Sequence, residues 1–383
     1  MYPDPKWPLA RCGRSPGQQE MSGVARHSSS DCAPLRLIDM GEMTSRERLL
    51  CALKRGTPDR VPYAEVGVSS RVLEGLSGGA LKANEVGGID EIDARGVESE
   101  IEISRLLRRD HVCYRLTPPV PVEKHEGADT IVYYGKGRIR TSGDLDRLVL
   151  PDLDDGVVEG SLRRFVAESG DYASCFVTRI GIAPTYLAMG MEEFSLALYD
   201  DLPLVEALLE RYSDWSARVC RMAAACGFDM IWTADDLAFK TGPLMSPEMF
   251  RGIFIPHLRK AADSISLPWV LHSDGDLTSL MSDLVGLGIN GLNPIEPGAM
   301  DIAQVKREWG RDICLLGNVD VNTLSAGTPE DVRREVRQLL SEVAPGGGYV
   351  LASGNSLPTY AKPENVRAMI DTLAEYGEYP LSG

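Results

Sequence analysis

The chain has 383 residues, 43% of them hydrophobic and 25% charged, with a formal net charge of -16. That profile suits a soluble globular protein with one large domain or two smaller ones, and it argues against a nucleic-acid partner, which would need clustered Lys and Arg. No run approaches the roughly 18 apolar residues that span a membrane, and eight cysteines scattered without a CxxC pair read as reduced thiols in the cytoplasm.

Residues 1–42 are rich in Pro, Gly and Ser and lack an apolar signal core. They are expected to be a disordered extension or the product of an upstream start codon. One folded domain is expected over residues 43–383. It opens at "MTSRERLL", where Thr44 and Glu47 form a capping box ahead of an apolar run.

From there short apolar or β-branched runs alternate with amphipathic stretches. Strands are expected at residues 60–68, 111–116, 174–181, 228–235, 267–274, 289–296, 312–320 and 348–355. Between the second and third, "DTIVYYGKGRIRTSG" reads as a β-hairpin insertion turning at Gly135 to Gly137. Helices are as well marked. Leu204, Leu208, Tyr212, Trp215, Val219 and Met222 share one face of a helix that stops at Gly227. Thr328 caps a later one with Pro329 at its first position, and the helix opened by Ser246 and Pro247 should bend at Pro256. Cys220, Cys226 and Cys314 fall in apolar patterns and read as core. Eight strands alternating with helices, with no GxxxxGK[ST] loop, imply an α/β chain forming a single (β/α)8 TIM barrel with a hairpin insertion.

In such a barrel the chemistry sits where strands end. The ends here carry Arg179, Asp235 and Asp236, the "HSDGD" of His272, Asp274 and Asp276, then Asn293 and Glu296, Asn318 and Asp320, and Ser353 and Asn355. His272 and Asp274 are two apart in extended chain and point the same way, as a pair of metal ligands would. A zinc site would need a third, with Asp235, Asp236, Glu296 or Ser353 as candidates. Asp274 could equally cap the following helix. Asp235 and Asp236 could instead work as an acid–base pair, although adjacent side chains diverge in a strand. Arg179 and Lys240 could hold an anion at the mouth or be solvated loop charges.

The motifs together resemble the uroporphyrinogen decarboxylase superfamily. The matching segments include "MTSRERLLCALKRGTPDRVP", "GPLMSPEMFRGIFIPHLRK", "LHSDGDLTSLMSDLVGLGINGLNPIEPGAM", "LLGNVDVNTLSAGTPEDVRREV" and "PGGGYVLASGNSLPTYAKPENVRAMI", and they cover most of residues 43–377. The resemblance implies a (β/α)8 barrel and one of two activities. One is cofactor-free decarboxylation of uroporphyrinogen acetate groups. The other is methyl transfer to or from a corrinoid protein or thiol, usually with zinc. The decarboxylases carry an arginine-rich "RQAGR" loop after the first strand; the region here, "YAEVGVSSRVLEGL", offers only Arg71. Their "GNLD" is similar to "GNVD". The methyltransferases carry His-x-Cys at the strand end and a Cys after the last strand. His272 matches the histidine, Asp274 stands in place of the first cysteine and Ser353 lies near the second. The chain therefore looks like a divergent branch resembling the corrinoid-dependent methyltransferases.

The expected enzyme demethylates a small methylated compound and passes the methyl group to a corrinoid protein partner. His272, Asp235, Asp236 and Glu296 are its expected catalytic residues. Arg179, Asn293, Asn318, Asp320, Ser353 and Asn355 would bind substrate, and His272 with Asp274 would hold zinc. A homodimer is the assembly allowed for. The alternatives are a uroporphyrinogen decarboxylase-type carboxy-lyase without cofactor and a non-catalytic barrel that binds a small ligand.

Overall fold

The structure, a computed structural model, describes residues 42–81, 96–126, 132–154 and 156–381. The expected N-terminal extension, except for Glu42, lies outside them. Seven parallel strands form one sheet in the order of the chain: β1 (His111–Arg115), β2 (Ala173–Thr178), β3 (Met230–Ala234), β4 (Trp269–His272), β5 (Gly291–Asn293), β6 (Cys314–Leu316) and β7 (Tyr349–Val350). Each falls inside a run marked by the sequence, except that β2 starts one residue earlier, at Ala173. Parallel neighbours in chain order need a crossover between them, and helices supply most of these, the longest being Leu202–Cys226. Asp201 caps that helix, and Gly227 ends it at φ +93°. Of the six residues expected on its inner face, all but Met222 are buried.

The eighth expected strand, residues 60–68, differs. It is not a continuous strand but a set of single bridges, Tyr63 with Leu351 and Val68 with Leu357. Pro62 supplies no N–H, so an unbroken ladder cannot run through it. The segment still joins both ends of the sheet: Leu351 N–H donates to Pro62 O, Ala64 N–H to Leu351 O, and Asp110 N–H to Tyr63 O. Arg48, from the first helix Ser45–Leu53, fastens the junction from below. Its guanidinium donates to Asp59 Oδ1 at 2.7 Å and to Asp110 Oδ1 at 2.7 Å, while Asp110 Oδ2 accepts the Tyr63 N–H. The expected capping box of Thr44 and Glu47 starts this helix.

Strand alternation sorts the core into two layers. Cys113, Cys175, Val177, Met230, Trp232, Val270, Cys314, Leu316 and Val350 pack together on the inner face of the curled sheet, with Leu49 and Leu53 beneath. Phe176, Ile231, Leu271, Leu292 and Leu315 belong to the outer layer, where the helices cover the sheet. Cys220 and Cys226 are buried in that layer too.

The hairpin is present as Val122–Glu126 paired with Val132–Gly137, but its turn is not at Gly135 to Gly137, which lie inside the second strand. Gly137 is glycine for packing: a Cβ there would lie 2.1 Å from the Met189 carbonyl carbon. The helix opened by Pro247 also departs from a plain kink at Pro256. A π-helical stretch, Phe250–Phe254, precedes the α-helix Ile255–Ala262 and absorbs the missing N–H.

Candidate functional site

Residues two apart on a strand share a face, and each strand carries its inner face upward to the C-terminal rim. Arg115 continues the face of Cys113, His272 that of Val270, and Asn293 that of Gly291. They meet around a cavity of about 500 Å³, lined also by Val66 to Ser69, Arg179, Tyr186, Trp232, Asp236, Asp274 and Asn355.

His272 is oriented by a chain of hydrogen bonds. The amide nitrogen of Asn293 donates to Leu316 O at 3.1 Å, which turns Asn293 Oδ1 toward the imidazole, 2.6 Å from Nδ1. In the neutral imidazole an oxygen acceptor there places the ring proton on Nδ1 and leaves the Nε2 lone pair facing the cavity. That lone pair looks at Asp274 Oδ1 at 3.8 Å and Asp236 Oδ1 at 3.9 Å. Asn355 Nδ2 donates to Asp274 Oδ2 at 2.5 Å, while Asp274 Oδ1 is buried and makes no hydrogen bond among the described residues. Asp236 Oδ1 accepts the Asp274 N–H at 3.1 Å. Burial pushes the Asp274 carboxyl up to about 6; His272 opposes this, and Asp236 and Glu296 add to it. One ligand atom from each of Asp236, His272 and Asp274 lies within 4.8 Å of the others.

This donor set fits a divalent cation. Zinc takes imidazole nitrogen and carboxylate oxygen, a ligating histidine normally donates its other N–H to an oxygen, and the bare Asp274 oxygen lacks a partner that a cation would supply.

Gly275 makes the bend after Asp274 possible. Its φ is +86°, and a Cβ would lie 2.5 Å from Ala238 carbonyl atoms, so no side chain fits. The bend brings Gly275 N–H to Glu296 Oε2 at 2.9 Å and Asp276 N–H to Phe239 O at 2.9 Å.

The other expected site residues are placed elsewhere. Asp235 is fully buried, and its carboxylate accepts the N–H groups of Ile180 and Ala183 at 2.7 and 2.9 Å, so it organises the start of the helix Ile182–Met189. Glu296 is taken up by Gly275 and by Lys240 at 3.0 Å. Ser353 donates to Glu65 Oε1 at 2.8 Å and its N–H to Oε2 at 3.0 Å, so it turns from the histidine toward a carboxyl that burial pushes up to about 7. Asn318 donates to Ile295 O at 2.6 Å. Asp320 caps the helix Val321–Ala326 and, with Glu296, Lys240 and Tyr360, lines a smaller adjoining cavity of about 280 Å³.

Arg115 and Tyr186 were not singled out by sequence reasoning. Arg115 was legible in principle, because it ends the strand that carries Cys113 two residues earlier. Tyr186 sits in an apolar helix and left no signal. Burial, with Asp236 nearby, pushes its hydroxyl well above the usual range, so it stays protonated.

Among known proteins, the profile of the family described as "Uroporphyrinogen decarboxylase (URO-D)" matches residues 136–376. A uroporphyrinogen decarboxylase of Chlorobium phaeobacteroides is 23% identical over 309 residues, 75% of this chain and 82% of its own. The methylcobamide:CoM methyltransferase MtaA of Methanosarcina barkeri strain Fusaro is 25% identical over 354 residues, 88% of this chain and 99% of its own. Among solved structures, a methyltransferase from Methanosarcina mazei shares the fold with a TM-score of 0.68 at 23% identity, across 88% of this chain and 99% of that one.

Proposed function

Since the chain belongs to the uroporphyrinogen decarboxylase family, we propose that it is a methyltransferase-like enzyme on a (β/α)8 barrel, with residues 60–68 in the place of the eighth strand. It removes a methyl group from a small methylated compound and passes it to a corrinoid protein. The observation that carries this reading is the convergence of His272 Nε2, Asp274 Oδ1 and Asp236 Oδ1, with the imidazole held in the tautomer that a metal ligand needs. The likeness to the methylcobamide:CoM methyltransferase over nearly its whole length supports it.

His272, Asp274 and Asp236 would hold zinc or a similar divalent cation, whose chemistry is to polarise the heteroatom that carries the methyl group. The remaining work falls to the chain. Arg115 and Arg179 line the same cavity and place an anionic group of the substrate. Tyr186 keeps its proton and can donate a hydrogen bond to the heteroatom as charge develops on it. Trp232 and Leu357 close the apolar sides.

The two arginines also favour a second reading, a decarboxylase acting on a small carboxylate. The measurement that separates the readings is metal content of the purified full-length protein beside His272→Ala and Asp274→Ala. About one equivalent of zinc in the parent and little in either variant supports the methyltransferase reading. Metal-free protein, after zinc loading, that binds or decarboxylates a carboxylated tetrapyrrole overturns it.

A further inference from the structure

A second cluster lies one layer below the cavity, on the inner face of β1 and β2. It consists of His111, Cys113 and Cys175, all buried, with a ligand-type atom of each within 4.8 Å of the others. None of the chemistry above uses them. Cys113 and Cys175 are direct register partners on adjacent strands. Neighbouring strands run about 4.8 Å apart, inside the span of about 4.4–6.8 Å between the Cα atoms of a disulfide.

Such a trio invites a metal, but the imidazole answers against one. His111 Nε2 accepts the backbone N–H of Glu65 at 3.1 Å, so the ring proton of the neutral imidazole sits on Nδ1, the atom 3.3 Å from Cys113 Sγ. His272 carries its proton on the same nitrogen, but there the Nε2 lone pair faces the carboxylates, whereas here the N–H faces the sulfur. A cation between the sulfurs and Nδ1 would meet a proton where it needs a lone pair. It would also lie near the buried Arg109 guanidinium, which is paired with Glu100. The same arrangement suits a thiolate. A hydrogen bond from the Cys175 thiol foremost, then the His111 ring and Arg109, hold the Cys113 thiol well below its usual range, while burial pushes Cys175 well above it.

We propose that Cys113 and Cys175 form a redox-active dithiol inside the barrel, poised by His111 Nδ1–H and closed to a disulfide by a small peroxide entering from the cavity. Trp232 lines that cavity and lies 6.0 Å, ring to ring, from His111, so one side chain separates the cluster from the cavity. The Cys113 thiolate attacks hydrogen peroxide, forming an S–O bond as the O–O bond breaks; the product is a sulfenic acid, and hydroxide leaves. Cys175 Sγ then attacks Cys113 Sγ, the S–O bond breaks, and the sulfenic oxygen leaves as water with the Cys175 proton. Two sulfurs are oxidised by two electrons and one peroxide is reduced. The cross-link pins β1 to β2 directly under Arg115 and Trp232.

The test uses the full chain, reduced and desalted, then exposed to hydrogen peroxide, quenched with an alkylating agent and mapped by mass spectrometry without reduction. The expected result is a Cys113–Cys175 cross-linked peptide, reversed by dithiothreitol, with Cys51, Cys220, Cys226 and Cys314 still alkylated after denaturation. Cys175→Ser should give no cross-link and should stop at oxidised Cys113. The proposal is overturned if both cysteines stay reduced while others oxidise, or if the two thiols react only after a bound metal is released. Because the readout is thiol chemistry, it stands whether or not the cavity transfers methyl groups.

Discussion

Asp274 shows how a single side chain can be prepared for a cation. One of its oxygens is held by Asn355 and the other is bare beside His272. Because a carboxylate must lose its proton to ligate, its raised value of about 6 sets the pH response. Below about pH 6 protonation of Asp274 should weaken zinc binding by up to about tenfold per pH unit, a contribution that Asp274→Asn should lack. Calorimetric zinc titrations between pH 5 and 7.5 would check this, and an affinity that did not change across the range would remove Asp274 from the ligand set. At this scale the sequence was informative but incomplete. The i, i+2 spacing of His272 and Asp274 and the strand-end position of Asn293 were legible. The choice between Asp235 and Asp236 was not, because adjacent carboxylates diverge and only the strand register shows that Asp236 shares the parity of Trp232.

Asp235 belongs instead to the scale of elements. Its two oxygens take N–H groups from the turn that opens the helix Ile182–Met189, and that helix delivers Ala183, Tyr186 and Leu187 to the cavity. Asp235→Ala would leave two buried donors without a partner at a cost of about 1–3 kcal/mol each. Urea unfolding should show the loss, and binding in the cavity should weaken along with it; unchanged stability would mean that the turn does not depend on this carboxylate. Sheet strands and major helices were readable because hydrophobic period, caps and glycine stops agree with one another. The hairpin turn was misplaced because Gly135 and Gly137 looked like turn residues, whereas Gly137 is small in order to pass the backbone at Met189. The bridging segment was read as a strand because it is a short apolar and β-branched run, and Pro62 limits it to bridges.

At the scale of the whole molecule, the segment carrying Pro62 and Tyr63 joins the last strand to the first, and Arg48 secures it from the opposite end to the cavity. Arg48 and Asp110 are both buried, so removing the cation leaves an unpaired buried charge. Arg48→Ala should cost about 3–5 kcal/mol, read as a lower thermal midpoint; a near-native midpoint would show that the ring closes without this clasp. The same segment continues upward into Val66, Gly67, Val68 and Ser69, which wall the cavity. Ring closure and occupancy are therefore linked reciprocally. A molecule that binds only while the seam is closed holds it shut, and a change that loosens the seam weakens that molecule's grip.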